Sequence, residues 1–264
     1  MNNTVVVTQV SERHWHALGD DLVVGRGEVW RRPDGRSFLS IDAWQGAVFD
    51  QIAGAMLATL PKPLYTVVDE ADLDLLTRWE RTGFGPRRRE WEYVLSTDPL
   101  VTGLGAVTPP PGVTILPAGA AEEGPLRELD RVVRAEAEAT VGWENMPAEV
   151  VSRPDGDTLL DPSRYVVAAH DGAYIGLARV VPLPRQPRIG LLAVRAGMRR
   201  QGVGRALLAE VLGAAHRRGA GSASADVNQS NTAALALFEK AGARRGGSNL
   251  ELVLRPHNNR TERK

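Results

Sequence analysis

Residues 199–205 read Arg-Arg-Gln-Gly-Val-Gly-Arg and stand between an apolar, strand-like run at 189–194 and an amphipathic helical pattern at 206–218. Residues of these types at this spacing suit an anion. Glycines let a turn tighten and bring its backbone close to a ligand. The first N–H groups of a helix have no intrahelical acceptor and carry the positive end of its dipole. A pyrophosphate fits such a cradle, and Arg199, Arg200 and Arg205 add charge-assisted donors to the backbone of Gln201, Gly202, Val203 and Gly204. Two other phosphate turns are excluded: no Gly-Lys-Ser/Thr follows, and the glycines are not spaced Gly-x-Gly-x-x-Gly. On this motif alone, a plain basic strand–helix connection stays open.

A second segment lies one strand–helix unit downstream. Residues 222–228 alternate as a half-buried strand does. Asn231 is placed to cap the next helix, Ala234, Leu235 and Phe238 follow at helical spacing, and Gly242 ends it. Residues 248–254 read as a last strand. The two patterns, Arg199-x-x-Gly202-x-Gly204 and Asn231-x-x-Ala234-x-x-x-Phe238-x-x-x-Gly242, resemble the two signatures of the GNAT superfamily of N-acetyltransferases over residues 113–255. The resemblance implies an α/β (α+β) fold, a mixed, mostly antiparallel twisted sheet flanked by helices, and acetyl-CoA as acyl donor. It implies that the sheet splays beside 191–194 and that the pantetheine arm pairs with the backbone of Leu192, Ala193 and Val194. Residues 199–205, Asn231 and Phe238 would complete the cofactor site, and an N–H near Val194 would donate to the thioester oxygen.

Direct transfer to an amine requires a base for the ammonium and a proton for the departing thiolate. The commonest family base is a Glu on the strand before the loop, but 187–194 contains no carboxylate. Asp226 is the substitute. It lies twelve residues before Phe238 and shares a strand face with Ser224 and Asn228. The ribosomal-protein alanine acetyltransferases carry their proposed base at the matching position. The alternative is that Asp226 is a paired structural carboxylate. Glu144, within Val-Gly-Trp-Glu-Asn-Met-Pro at 141–147, falls where the family commonly binds acceptors. There it would meet a cationic amine alongside the Trp143 ring, or else Trp143 plugs the core and Glu144 is solvated. The family's proton-returning Tyr is Phe238 here, which has no proton to give. That leaves Ser230, Tyr165, Tyr174 or water, or a thiolate of pKa about 8.5 leaving unprotonated.

The bulk of the sequence bounds what can position these groups. With 264 residues and 43% hydrophobic content, the chain can build one large core or two smaller ones. Zero net charge gives no hold on nucleic acid or an anionic membrane. The absence of cysteine excludes disulfides, thiolate catalysis and Cys-type zinc sites, and the five histidines form no His-x-x-x-His pair, so no metal is expected. No apolar run reaches membrane-spanning length, and the first residues lack signal-peptide features. The expectation is a cytoplasmic protein, monomer or homodimer.

A Pro/Gly-rich stretch at 98–112 divides the sequence. Shifted by 159 positions, residues 68–95 align without a gap on 227–254, with identities at Leu76/Leu235, Glu80/Glu239, Gly83/Gly242, Glu92/Glu251 and Leu95/Leu254 among others. The first half therefore reads as a second GNAT-like domain, with strands at 36–41, 64–69 and 88–95 and helices at 47–60 and 73–81. Its turn, Asp42-Ala-Trp-Gln-Gly46, has one glycine, no arginine and an acidic residue, so it would repel a pyrophosphate. Its tryptophans Trp30, Trp44, Trp79 and Trp91 read mainly as core and interface residues.

The expected organisation is a degenerate domain at 1–97, a linker at 98–112, an acetyl-CoA-binding domain at 113–255 with a helix at 122–139, and a polar tail at 256–264. The expected function is acetyl-CoA-dependent N-acetylation of a small-molecule primary amine, such as an antibiotic or metabolite. The alternatives are a protein or peptide N-acetyltransferase and a silent acyl-CoA sensor.

Overall fold

A computed structural model of the chain describes residues 5–32, 35–140 and 160–256. In chain order the elements are β1 (Val6–Ser11), β2 (His14–Gly19), β3 (Leu22–Arg31), β4 (Ser37–Ala43), α1 (Gly46–Thr59), β5 (Leu64–Asp69), α2 (Leu73–Arg81) and β6 (Gly85–Ser96). There follow α3 (Pro99–Thr102), β7 (Val113–Leu116), α4 (Glu123–Glu138), β8 (Tyr165–His170), β9 (Ala173–Val181), β10 (Arg188–Val194), α5 (Val203–Arg217), β11 (Ser222–Asn228), α6 (Thr232–Lys240) and β12 (Arg244–Leu254).

The chain forms two compact units that do not follow its linear order. One contains residues up to Arg89 together with those from Ser248 onward; the other runs from Glu90 to Gly247. Each unit thus takes its last strand from the other half of the sequence. In the first unit, β1 to β4 form an antiparallel meander, β5 lies parallel to β4, and β12 pairs antiparallel with β5 from Asn249↔Asp69 to Leu254↔Leu64. Its core gathers Trp15, Leu39, Phe49, Ile52, Met56, Trp79 and Leu252. Trp44 is 79% exposed, unlike the buried Trp79, because the turn before α1 holds it outside this core.

In the second unit the order is β7-β8-β9-β10-β11-β6. All neighbours are antiparallel except β10 and β11. β6 pairs with β11 from Ser96↔Ser222 to Glu90↔Asn228. One sheet face packs on α5 and α6 through Leu207, Val211, Ala225 and Phe238. The other packs on α4 through Leu126, Leu129 and Val133 against Tyr165, Val167, Leu177, Leu191 and Ala193. The 98–112 stretch contains α3 and buries Leu104.

The repeat read from the sequence is a repeat of structure. Asp72 caps α2 by accepting from the Leu75 N–H at 3.0 Å, and Asn231 caps α6 by accepting from the Ala234 N–H at 3.1 Å. The two caps share φ −84 and ψ near 75 (76 and 73). Gly83 and Gly242 follow the two helices at φ 94 and φ 75, the left-handed region that ends helices cheaply for glycine.

Candidate active site

The 199–205 segment links the end of β10 to α5. After β10, a short 3-10 turn at Ala196–Met198 leads into it. Arg200 adopts φ 65, and Gly202 caps α5 at φ 92. Arg200 is a non-glycine residue held in the left-handed region, a strain that persists where surrounding structure enforces it. The helix begins at Val203, three residues before the pattern predicts, so Gly204 and Arg205 lie in its first turn. Ala206 N–H is the first to bond back, to the Gly202 carbonyl at 3.0 Å. The N–H groups of Val203, Gly204 and Arg205 are therefore aimed outward with the helix dipole behind them. Val203 is buried beneath the turn, while Gln201, Gly202 and Arg205 are exposed.

Arg199 is held from two sides. Its Nε donates to the Val194 carbonyl at 3.0 Å, and its Nη2 reaches Glu136 Oε2 on α4 at 3.3 Å. The same Glu136 oxygen accepts the Ala196 N–H at 2.7 Å. Glu136, which sequence reasoning did not single out, thus fastens α4 to the mouth of the loop. Gln201 Nε2 donates to the Gly197 carbonyl at 3.1 Å. A side chain at Gly204 would meet Leu192 Cδ2 at 3.6 Å and Val194 Cγ2 at 3.8 Å, which places the first turn of α5 directly on β10.

β10 separates from β11 where the loop needs room. The parallel register is present at Arg188↔Ser224 alone among the described residues, with Ser224 N–H donating to the Pro187 carbonyl at 3.0 Å. Beyond it β10 has a register irregularity between Ile189 and Leu191 against β9. Leu192, Ala193 and Val194 therefore present a backbone edge that β11 does not pair. An extended arm bearing amide groups can add to such an edge.

The proton-handling residues are placed unequally. Asp226 stands on the β11 face with Ser224 and Asn228, half-buried, and its Oδ2 accepts from Arg188 Nη1 of β10 at 3.2 Å. It is a paired carboxylate at the closed end of the splay. Ser230 Oγ donates to Asn228 Oδ1 at 2.8 Å within the turn before α6. Phe238 is 4% exposed and stacks on the Tyr93 ring at 6.0 Å inside the core. Tyr174 Oη accepts the Glu122 N–H at 3.0 Å and so fixes the start of α4. Tyr165 is 2% exposed, and burial pushes its phenol pKa up. Glu144 lies outside the described residues, as does the tail from 257. Asn231 is a helix cap, its Oδ1 on the Ala234 N–H. No group of three or more His, Asp or Glu side chains among the described residues is placed to hold a metal. No helix among them is long and apolar enough to cross a membrane.

In the first unit the equivalent helix, α1, starts at Gly46 after Asp42-Ala-Trp-Gln, with no side-chain cap. The Arg78 guanidinium packs against Gly46, where a Cβ would collide with it.

Known proteins place this arrangement. Residues 129–243 match the Acetyltransferase (GNAT) family. No curated protein matches the sequence. Among solved structures, a GCN5-related N-acetyltransferase from Sphaerobacter thermophilus is 18% identical, covers 94% of this chain and 83% of its own, and superposes at TM-score 0.64. A tandem GNAT protein from the clavulanic acid biosynthesis pathway is 15% identical, with 92% and 82% covered and TM-score 0.65. A GCN5-related N-acetyltransferase from Kribbella flavida is 15% identical, with 95% and 89% covered and TM-score 0.58. These likenesses extend over nearly the whole chain and establish its fold as that of tandem GNAT proteins, and residues 129–243 match the acetyltransferase domain of the GNAT family.

Proposed function

We propose that the second unit transfers the acetyl group of acetyl-CoA to a primary amine on a small molecule. The observation that carries this reading is the pairing of an outward-facing α5 N-terminus, built on Gly202 at φ 92, with the unpaired β10 edge at Leu192–Val194. The first suits the pyrophosphate, with Arg200 and Arg205 beside it, and the second suits the two amides of the pantetheine arm. Among the described residues the first unit has no counterpart to this loop, and we assign it no transfer.

The amine nitrogen attacks the thioester carbon. A C–N bond forms, the C–S bond breaks, the ammonium proton is lost, and the CoA sulfur takes a proton on leaving. Binding both reactants beside β10 makes the attack effectively unimolecular, and a β10 N–H near Val194 stabilises the oxyanion. Asp226 receives the ammonium proton through a water, because its Oδ2 is already bonded to Arg188. With Phe238 in the core and the Ser230 hydroxyl donating to Asn228, the thiolate draws its proton from solvent.

Titration calorimetry with acetyl-CoA, paired with thiol release over a panel of amines, tests this. The wild type binds saturably and releases thiol with at least one amine class. Gly202→Glu places a carboxylate where the pyrophosphate sits and abolishes binding while the melting transition persists. Asp226→Asn keeps acetyl-CoA affinity and lowers turnover by roughly 10²-fold or more. Absence of acetyl-CoA binding by the folded wild type would overturn the reading, and binding without release for any amine would reduce the unit to a sensor.

A further inference from the structure

The α4-facing side of the second unit carries two buried polar atoms that no described residue satisfies, with a tyrosine hydroxyl beside them. Arg179 Nη1 and Asp130 Oδ1 are out of solvent and without a hydrogen-bond partner. Among the described residues the Tyr165 hydroxyl has no hydrogen-bond partner and Arg179 makes no ion pair, and Tyr165 itself is 2% exposed. Native proteins rarely leave such groups empty-handed in the interior, and each exception asks for a ligand or water.

The three share one place. Tyr165 of β8 lies directly across from Arg179 of β9, and Arg179 directly across from Leu191 of β10. Directly opposed residues have Cβ atoms about 4.5–5.5 Å apart. The face is that of Leu177, Leu191 and Ala193, onto which α4 packs through Leu126, Leu129 and Val133. Asp130 projects from α4 into this layer, 2% exposed, and both its charge and that of Arg179 act on the Tyr165 phenol. Arg134 already pairs with Asp130 Oδ2, so Arg179 is the cation left over. Leu191 stands immediately before the unpaired Leu192–Val194 edge, at most about 10 Å along the strand from Val194 at roughly 3.3 Å per residue.

A guanidinium presents a planar fork that matches a carboxylate bidentately. Burial keeps the Tyr165 phenol protonated, so it supplies a further donor. Asp130 Oδ1 adds an acceptor for a donor group elsewhere on the same molecule. We infer that Arg179, with Tyr165 and Asp130, binds a carboxylate borne by the acceptor, so that the amines this unit acetylates are amino acids or their short derivatives. The inference rests on the acetyltransferase reading above and narrows its substrate class.

The test uses matched pairs: lysine with 1,5-diaminopentane, tyrosine with tyramine, and histidine with histamine, with phosphoethanolamine as a source of a second anion. Thiol release gives kcat and KM, and calorimetry on the CoA-loaded protein gives binding where turnover is too slow to follow. For at least one pair the carboxylated member is favoured by about tenfold or more, consistent with a charge-assisted bond to a buried group. Arg179→Met removes that preference chiefly through KM, Arg179→Lys retains part of it, and Tyr165→Phe weakens it. Should Arg179→Met fail to fold, the wild-type pairs together with Tyr165→Phe decide. Equal handling of both members of every pair, no binding or turnover with any carboxylated amine, a preference that survives Arg179→Met, or a preference for phosphoethanolamine overturns the inference. Calorimetry with acetyl-CoA alone separates the two levels: loss there fails the transferase reading, whereas tight acetyl-CoA binding without carboxylate preference fails only this one.

Discussion

Arg199 illustrates how a residue recognised for its charge can serve through its position. Its side chain is divided between the Val194 carbonyl and Glu136, so what it offers an anion depends on that carboxylate staying in place. Glu136→Gln weakens the hold on Arg199 and on the Ala196 N–H. Because the Arg199 and Glu136 side chains are 48% and 22% exposed, the effect is modest, on the order of 0.5–1 kcal/mol, or a few-fold in acetyl-CoA dissociation constant by calorimetry. Sequence pattern gave the arginine but not its partner, because Glu136 sits 63 positions away on a helix whose other carboxylates look the same. The Asp226 pair had the same blind spot: strand alternation put the carboxylate on the correct face, but nothing in 187–194 announced that Arg188 would cross to it.

A second residue-scale consequence concerns pH. Glu70 accepts from Ser248 Oγ at 2.7 Å and pairs with Arg89, and these contacts hold its carboxyl below the ordinary value of 4.5. A depressed folded-state pKa contributes stability that is present above the unfolded value and lost as pH falls through the folded one. The melting temperature of the wild type therefore exceeds that of Glu70→Gln at pH 7, and the gap closes as pH is lowered below 4.5. A gap independent of pH would contradict this.

At the scale of elements, the strand–helix units around α2 and α6 were the most legible parts of the chain. Strands at 64–69 and 222–228 and the helix at 73–81 fall where periodicity puts them. Removing either cap, by Asp72→Ala or Asn231→Ala, costs about 1 kcal/mol, which lowers the melting temperature by roughly 2–4 °C by scanning calorimetry. The β1–β3 meander was not legible, and the reason is steric. β3 turns Gly25 and Gly27 toward α1, where a Cβ would lie 2.8 Å from Val48 Cγ1 and 2.7 Å from Ile52 Cγ2 respectively. The helix can approach only because those side chains are missing, and glycine inside a strand erases the alternation by which strands are recognised.

At the scale of the whole molecule, the exchange of last strands was hidden by the repeat itself. β6 and β12 carry matched residues at Glu92/Glu251, Val94/Val253 and Leu95/Leu254, so either would read as a partner for β5 or for β11. The difference lies in particular contacts. Glu251, 3% exposed, meets Arg36, Arg87 and Arg88 in the first unit, while the Tyr93 hydroxyl donates to Glu239 at 2.7 Å in the second. A fragment of residues 85–247 retains every strand of the second unit and is expected to melt cooperatively. A fragment of 113–255 lacks β6, leaves β11 with an open edge and is expected to aggregate or melt without cooperativity, as followed by circular dichroism and light scattering.

The chain crosses between its units at Arg89/Glu90 and again at Gly247/Ser248. Synthesis proceeds from the N-terminus, yet the strand that completes the first unit is made only after every residue of the second. On the ribosome the second unit is therefore the first that can close, while the first 89 residues wait with the β5 edge unpaired for the final strand. For this protein, the half translated first is the half that finishes folding last.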